Sequence, residues 1–300
     1  MIYSNWMSYI KDDAKINKIV IPGAHNAGSY VMNRMACCQE GDLYKQYEYG
    51  IRHFCIRLDT ASDGTIVLAH GITKGASLES VLYQFRKMLH QTESEFFIFD
   101  IREYYDQKIG TVTMRYKADP NKVDELLAEY IEPEKYAFWD FDNISDVTLG
   151  DIRRSGKRYI ILNEKKDYKY SCDCPCIFPW NKKAYGCLAP EFTREIIKIF
   201  DENSTEGFYW FQTQQTPNLG TQVGVVTPIR LDMSLRPYYK SIIEQLAADP
   251  QRLDKVNIIA GDFMTYDHSK VRDILRLNLV KQIVKPGLEA EFEKKLFEKN

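Results

Sequence analysis

The chain has 300 residues, of which 44% are hydrophobic and 27% charged, and its formal net charge at pH 7 is −2. This composition is typical of a folded globular protein, and the near-zero net charge argues against a nucleic-acid-binding protein. No run of about 18 apolar residues is present, so we predict no transmembrane segment.

Apolar runs that end at turn residues alternate with amphipathic segments along the chain. Continuous apolar runs are typical of strands buried on both faces of a parallel sheet, and apolar residues spaced three or four apart predict helices between them. The predicted strands are 19–23, 54–58, 65–69, 96–101, 159–162, 208–211 and 256–260, and the predicted helices are 78–89, 121–130, 190–200, 238–248 and 270–280. This order predicts an α/β fold, a TIM-type (β/α) barrel that is irregular or incompletely closed. We expect a single domain over residues 1–300, with a helical tail from about residue 286 to 300.

The beginning of the chain and its cysteines bear on the compartment. The segment from Met1 to Trp6 lacks the basic and apolar regions of a secretory leader. Seven cysteines, an odd number, are most simply explained as free thiols in a reducing compartment. We therefore expect a cytoplasmic or peripheral membrane protein, although a secreted protein with its leader removed would look the same.

Polar and charged residues recur where the predicted strands end. In (β/α) barrels the active site is built at the C-terminal ends of the strands. The residues at these ends are His25, Asn26, Arg57, Asp59, His70, Asp100, Arg102, Glu103 and Asp262. Charge pairing at a solvated rim would explain any one of them, but it explains the whole set poorly because buried polar groups are costly.

Two histidines, an arginine and several carboxylates suit the cleavage of a phosphodiester. That reaction needs a base for the attacking hydroxyl, an acid for the leaving oxygen and a fixed cation for the phosphate charge. His25 and His70 can move the protons near neutral pH, and the planar fork of Arg57 fits a phosphate.

Several segments resemble one family of phosphodiesterases. The segments 21–30 (IPGAHNAGSY), 50–58 (GIRHFCIRL) and 66–71 (IVLAHG) resemble three successive motifs of the X domain of phosphatidylinositol-specific phospholipases C. The later segments 96–105, 212–217 and 257–263, and the end of a helix at 275–278, are similar to the corresponding parts of that family. The resemblance spans roughly residues 3 to 280, and it is specific because the motifs occur in order and at the family's spacing.

The resemblance implies an incomplete or distorted TIM barrel and a two-step reaction on phosphatidylinositol or glycosylphosphatidylinositol. The inositol 2-hydroxyl attacks the phosphorus, diacylglycerol leaves and a cyclic inositol phosphate forms. By match to the motifs, His25 is the base, His70 the acid, Arg57 the phosphate clamp and Asp262 the partner that orients the base. Arg102 matches a basic residue of the substrate pocket.

The chain departs from the family at positions that bear on metal use. The secreted bacterial enzymes usually have Asp where this chain has Asn26, and the calcium-dependent enzymes use Asn there, and a residue at the position of Asp59, as ligands. Arg57 occupies the position of a further calcium ligand, a glutamate, and its charge would repel a cation. We therefore favour a reaction without a metal or other cofactor; in the Ca²⁺ alternative, Asn26 and Asp59 are the ligands.

Another departure leaves other functions open. Cys55 lies where most relatives have an aspartate that contacts the reacting groups, so the rate could be low. The alternatives are a catalytically weak barrel that binds inositol lipids, and another barrel phosphodiesterase acting on glycerophosphodiesters or sphingolipids. The second alternative usually needs a metal cage of carboxylates, and Arg57 argues against it.

Two further features concern substrate contact. We predict that Asn26, Cys55, Asp59 and Arg102 contact the substrate, together with an aromatic ring that stacks on inositol. Either Tyr209 or Trp210 could supply this ring, and only one can face the pocket because side chains alternate along a strand; the prediction is Tyr209. The segment 177–185 combines aromatic residues with two lysines, which fits either a rim loop inserted into an anionic membrane or a packed loop end.

Overall fold

A computed structural model describes residues 2–103, 107–109, 111–163, 167–217 and 226–298. Tyr104 and Tyr105, which belong to one of the predicted motifs, lie outside the described residues. The strands are β1 (Ile21–Ala24), β2 (His53–Thr60), β3 (Ile66–His70), β4 (Thr73–Ser77), β5 (Phe97–Glu103), β6 (Gln107–Ile109), β7 (Val112–Arg115), β8 (Tyr159–Leu162), β9 (Cys176–Ile177), β10 (Phe208–Gln212) and β11 (Ile258–Gly261).

Helices follow most of the strands along the chain. They are α1 (Leu43–Glu48), α2 (Leu78–Gln91), α3 (Pro120–Ile131), α4 (Pro133–Tyr136), α5 (Leu149–Ser155), α6 (Lys182–Tyr185), α7 (Ala189–Glu202), α8 (Pro228–Ala247), α9 (Pro250–Lys255), α10 (Ser269–Val280) and α11 (Glu289–Phe297). Short 3-10 helices cover Trp6–Tyr9, Ala27–Val31 and Ile144–Asp146. Each helix in the described ranges is too short or too polar to cross a lipid bilayer.

The central sheet is a parallel array that forms most of a barrel. Its strands follow the order β8-β5-β2-β1-β11-β10-β9, and every pair in this order is parallel. Within the described residues no strand ladder joins β8 to β9, so the sheet is not closed. The prediction of an α/β, TIM-type and incompletely closed barrel is confirmed. The extent of the domain stays a prediction, and α11 lies within the predicted tail.

The hairpin of β3 and β4 differs from the predicted parallel pattern. β3 pairs with the edge of β2 in the antiparallel direction, and β4 pairs antiparallel with β3. The turn between them contains Gly71 at φ +59°, a left-handed conformation that glycine adopts readily. Because β3 runs against β2, and Leu68 lies opposite Leu58, His70 comes to lie beside the middle of β2.

Because side chains alternate along the strands, the outer face of the sheet is packed with apolar rings and its inner face carries polar groups. Outward-facing rings of β2 and β5 pack against helix α2, as the contacts of Phe85 with Phe54, Phe97 and Phe99 show. Inward-facing side chains of the same strands include buried His53 and other polar groups, which enclose the base of the candidate site described next.

Candidate active site

A cavity of about 430 Å³ opens at the C-terminal ends of the barrel strands. It combines two histidines and two arginines with aromatic rings and carboxamides. The lining residues are His25, Arg57, His70, Arg102, Phe178, Trp180, Trp210, Gln212, Gln214 and Thr216. The cavity thus brings together four of the residues that the sequence singled out, namely His25, Arg57, His70 and Arg102.

His25 and Asp262 lie side by side because β1 and β11 end together. Ala24 is in register with Gly261, so the next residue of each strand reaches the same edge. His25 Nδ1 lies 2.7 Å from Asp262 Oδ1. Gln39 joins the two strand ends, since its Nε2 donates to the carbonyls of His25 and Gly261 at 2.8 and 2.9 Å.

The neighbours of His25 determine which of its ring nitrogens carries the proton. An arginine can only donate hydrogen bonds, and Arg57 Nη2 lies 3.2 Å from His25 Nε2. Nε2 must therefore accept, which leaves Nδ1 to carry the proton and donate it to Asp262. This is the tautomer that a general base needs, with its lone pair on the atom beside the cavity.

Burial shapes the charge of this pair. Burial raises the pKa of Asp262 to about 7. Burial, and then the charge of Arg57, lower the pKa of His25 well below its usual value. His25 is consequently neutral near pH 7 and able to accept a proton.

His70 faces His25 across the cavity. The two ring centroids are 6.2 Å apart and the rings are nearly perpendicular. His70 Nδ1 lies 2.7 Å from the carbonyl oxygen of Ala36, which can only accept, so Nδ1 carries a proton and Nε2 is left for the cavity. Burial lowers the pKa of His70 to about 4. A bound phosphate would raise this pKa again, because an adjacent negative charge favours the imidazolium.

Arg57 and Arg102 occupy neighbouring positions on the inner face of the sheet. They are in register on the parallel strands β2 and β5. Both line the cavity, so it carries two guanidinium groups within reach of the histidines. Such a pair favours an anionic ligand, and a guanidinium fork matches phosphate oxygens.

Arg102 is held by a buried polar network. Arg102 Nε lies 2.9 Å from Asp100 Oδ1, and Asp100 Oδ2 lies 3.1 Å from His53 Nε2. The guanidinium carbon of Arg102 lies 3.8 Å from the ring centroid of Phe178 and 5.1 Å from that of Trp210. The salt bridge and the flanking rings fix the direction of the guanidinium.

The structure corrects the prediction for Tyr209. Its ring packs against Phe200 of α7 at a centroid distance of 4.7 Å, so it faces the helix layer and not the cavity. Trp210, the next residue, faces inward and lines the cavity together with Gln212. All five residues of β10 are buried, so hydrophobicity did not reveal which face points inward.

Asn26, Cys55 and Asp59 are buried near the cavity but are not among its lining residues. Asn26 adopts a left-handed conformation, at φ +45°, and its Nδ2 lies 3.6 Å from Cys38 Sγ. Cys55 lies in register with Asp100 on the inner face of β2, and burial raises the pKa of its thiol.

Asp59 is occupied by other parts of the fold. Its Oδ1 accepts from the backbone amides of Thr60 and Tyr116, at 2.7 and 2.8 Å. Its Oδ2 lies 3.5 Å from Lys74 Nζ. A cation of the protein thus already lies beside Asp59 Oδ2, whereas Asn26 Oδ1 is buried without a hydrogen-bond partner among the described residues. The lysine beside Asp59 argues against calcium at this carboxylate, and the calcium alternative stays a prediction.

One group of potential metal ligands was found among the described residues. Donor atoms of His25, Cys38 and Asp262 lie within 4.8 Å of one another, and all three residues are buried. The His25 and Asp262 atoms are already joined by a hydrogen bond. Burial raises the pKa of the Cys38 thiol well above its usual value, which disfavours the thiolate that a metal needs.

The sequence reasoning missed several cavity residues. Phe178 and Trp180 lie in the segment that the sequence left as either a membrane loop or a packed loop end, and Gln214 follows strand β10. Gln212 ends β10, and its position offered a signal. A polar side chain at the C-terminal end of a barrel strand points to the cavity, and alternation then places Trp210 on the same face.

Comparisons with known proteins agree with this architecture. No family model matches the chain. A 1-phosphatidylinositol phosphodiesterase of Staphylococcus aureus (strain Newman) is 36% identical over 73 residues, which is 23% of this chain and 23% of that protein. The match thus spans about a quarter of the length of the curated relative.

Solved structures match over nearly the whole chain. A phosphatidylinositol-specific phospholipase C from Staphylococcus aureus containing pentafluoro-phenylalanine has a TM-score of 0.66 and 16% identity, covering 92% of this chain and 97% of that one. The enzyme from Listeria monocytogenes has a TM-score of 0.62 and 20% identity, covering 92% and 98%. The chain has the fold of the bacterial phosphatidylinositol-specific phospholipases C. The resemblance predicted from the motifs is thereby confirmed.

Proposed function

We propose that this protein is a phosphodiesterase of the phospholipase C type that cleaves phosphatidylinositol or glycosylphosphatidylinositol. The observation that carries the proposal is the arrangement of His25, Arg57 and His70 around one cavity, with Asp262 behind His25. The names of the matched proteins, and the fold that this chain shares with them, support the choice of an inositol lipid as the substrate.

The reaction follows from the positions of the two imidazoles. His25 Nε2 takes the proton of the inositol 2-hydroxyl as its oxygen forms a bond to phosphorus. The bond from phosphorus to the glycerol oxygen breaks, and a proton from His70 goes to that oxygen, which releases diacylglycerol. Arg57 binds the phosphate oxygens, and Asp262 stabilises the imidazolium that forms at His25. The product is a cyclic inositol phosphate, and water can open this ring in a slower second step.

The ring of the substrate has a suitable pocket beside the reacting groups. Trp210 and Phe178 offer apolar faces for a ring, and the carboxamides of Gln212 and Gln214 offer donors and acceptors for hydroxyl groups. Arg102 lies against both rings and is in register with Arg57, the proposed phosphate ligand. This combination suits a polyol ring better than an apolar ligand.

We propose that no metal takes part in the reaction. The guanidinium of Arg57 lies beside His25 Nε2 and would repel a cation at this point. Asp59 accepts from two backbone amides and lies beside Lys74, so its carboxylate is already occupied by protein groups. Arg57 therefore supplies the positive charge that a metal supplies in calcium-dependent chemistry.

The exposed apolar residues near the cavity suggest how the protein meets a membrane. Val31, Met35 and Ile72 are 57%, 48% and 60% exposed and lie on the segments that flank His70. Trp180 is 48% exposed at the cavity itself and is followed by two lysines. Apolar and basic side chains on one rim favour a peripheral position on an anionic bilayer.

The test is phosphorus NMR of phosphatidylinositol and glycosylphosphatidylinositol micelles with the purified protein. We expect a cyclic phosphodiester signal that persists in the presence of a chelator. Loss of the signal with chelator and its return with calcium would overturn the metal-independent mechanism. Binding of inositol-lipid vesicles without turnover would overturn the enzymatic proposal and leave a lipid-binding barrel, with Cys55→Asp as the variant to test for recovered activity.

A further inference from the structure

A cluster of buried charges lies behind Asp262. It consists of Asp232 and Arg236 of α8 and Lys270 of α10, none of which is among the residues lining the cavity. Asp232 is 4% exposed and Lys270 is 1% exposed. Lys270 Nζ donates to Asp232 Oδ1, and Arg236 Nε donates to Asp232 Oδ2 at 2.7 Å. One carboxylate thus joins two cations that come from two helices.

The two cations hold successive backbone carbonyls of the turn that presents Asp262. Lys270 Nζ donates to the carbonyl oxygen of Asp262 at 2.9 Å, and Arg236 Nη2 donates to that of Phe263 at 2.7 Å. Phe263 has φ +49°, a left-handed conformation that is unfavourable for a bulky residue and persists only where the surroundings hold it. The turn is also held from its other side, where Phe263 N donates to the carbonyl of Cys38 at 2.7 Å and Met264 N donates to Gln39 Oε1 at 3.2 Å. Lys270 and Arg236 supply the donors to its carbonyls, so without them the turn would lose one of its two sets of contacts.

Stability alone explains this cluster poorly. Removing charges from water is costly, and buried ion pairs can often be replaced by apolar residues of similar volume without loss of stability. The contacts with the backbone of Asp262 and Phe263 give the cluster a role that apolar residues could not fill. Its location directly after β11 places that role at the candidate active site.

We propose that Lys270, with Asp232 and Arg236, is a positioning group that directs Asp262 toward His25. The inference rests on the proposed phosphodiesterase function, because Asp262 matters there as the partner of the general base. Lys270 does not contact the substrate in this scheme and acts through Asp262.

The charge of Lys270 affects the ionisation of Asp262, although Lys270 does not line the cavity. Burial raises the pKa of Asp262, and the nearby positive charges, including Lys270, act against that rise. Arg57 and His70 line the cavity and interact with the substrate, whereas Lys270 is directed only at protein groups. Among the described residues, the charged and titratable groups that face Asp262 include His25, Cys37, Cys38, Arg57, His70, Asp232 and Lys270.

The test compares Lys270→Met with the double variant Asp232→Asn/Lys270→Met. Lys270→Met removes a cation and a donor to the Asp262 carbonyl, so kcat should fall about tenfold or more with KM unchanged. In Lys270→Met the acid limb of the pH profile of kcat should move to higher pH, because Asp262 binds its proton more tightly without the nearby cation. The double variant should also lose kcat, but its acid limb should lie nearer that of the wild type, since the opposing charge of Asp232 is gone as well.

The double variant protects the test against simple unfolding, because it removes one negative and one positive charge together and Arg236 keeps its salt bridge to Asp267 Oδ2 at 3.0 Å. Thermal unfolding of each variant confirms that it is folded. A folded double variant with wild-type kcat and a wild-type pH profile overturns the proposal. So does a Lys270→Met protein that loses thermal stability but keeps the kcat and acid limb of the wild type per folded molecule.

An NMR readout separates this inference from the function on which it rests. The proton on His25 Nδ1 reports on Asp262 directly, and its resonance can be assigned by its loss in His25→Ala. In Lys270→Met its titration should move to higher pH even if no lipid is cleaved. An unchanged titration overturns the positioning role, whereas absence of product with the wild-type protein overturns the proposed function.

Discussion

Replacing Asp262 by asparagine tests the proposed base most directly, because it removes one charge and nearly preserves shape. In the proposed mechanism His25 accepts the substrate proton and becomes a buried cation next to Arg57, and Asp262 is the group that stabilises it. For unit charges separated by the 2.7 Å between His25 Nδ1 and Asp262 Oδ1, Coulomb's law at an effective dielectric constant of about 20 gives about 6 kcal/mol. This energy corresponds to about 10⁴-fold in kcat. Loss of the carboxylate behind the histidine of a Ser-His-Asp triad has an effect of the same order.

The assay measures the initial rate of cyclic inositol phosphate formation at saturating substrate. Asp254→Asn is the matched control, because Asp254 is a surface carboxylate paired with Lys18 and its side chain is 72% exposed. Wild-type rates are expected for Asp254→Asn. The mechanism is refuted if folded Asp262→Asn keeps a kcat within about tenfold of the wild type, since the carboxylate would then not stabilise the imidazolium.

Three further results are expected. Arg57→Lys should lower kcat/KM about 100-fold, because an ammonium cannot bind the phosphate with two parallel hydrogen bonds. The exposed control Arg86→Lys should match the wild type in the same kinetic assay. Equal effects of the two substitutions would show that Arg57 does not bind the phosphate. Ile72→Ser should lower the affinity for anionic vesicles, measured by sedimentation, about threefold or more, and it should leave the rate on a monomeric water-soluble substrate unchanged. Val280→Ser, at the opposite end of the barrel, is the control and should bind vesicles normally. Because burial raises the pKa of Asp262 above its unfolded value, to about 7, its contribution to stability is present at low pH and is lost as the pH rises through that value. Urea unfolding should therefore find Asp262→Asn more stable than the wild type above pH 7, with the difference shrinking toward pH 4, and a constant difference would contradict the raised pKa.

The sequence was most informative where register alone decides the position of a residue. His25 and Asp262 each follow a parallel strand directly, so their meeting needed only the expectation that strands β1 and β11 end at the same edge. Arg57 and Arg102 required only that strands β2 and β5 be neighbours. For these residues the motif, the predicted strand and the edge at which that strand ends all indicate the same position in the fold.

The sequence was less informative where a side chain chooses between partners from distant segments. Tyr209 and Trp210 lie in an entirely buried strand, and a shift of one residue exchanges the two faces. Asp59 ends β2 as expected, but it is occupied by an amide of Tyr116 that lies 57 residues away along the chain. The cluster around Lys270 depends on how α8 packs against α10, which no local pattern in either helix specifies.

The placement of carboxylates explains how the site can bind an anion while keeping its histidines and arginines oriented. Among the described residues that line the cavity there are two arginines and no carboxylate. Asp262 lies behind His25, and Asp100 lies behind Arg102. Each acidic group thus orients a residue that faces the cavity without presenting its own charge to an anion bound there.

The kind of group that lies behind each cavity residue also accounts for Asn26, the most conspicuous departure from the resembling motif. The motif resemblance implies an aspartate at this position that supports the acid histidine, whereas here the carbonyl of Ala36 accepts from His70 Nδ1 and Asn26 Nδ2 lies 3.6 Å from Cys38 Sγ. A carbonyl orients the ring as well as a carboxylate does, but it contributes less to stabilising the imidazolium, and burial lowers the pKa of His70 to about 4. The acid form of His70 therefore depends on the negative charge of a bound phosphate. Under the proposed function, the phosphate of the substrate completes the charge pattern of the site, and His70 becomes able to donate a proton only when a phosphodiester occupies the cavity.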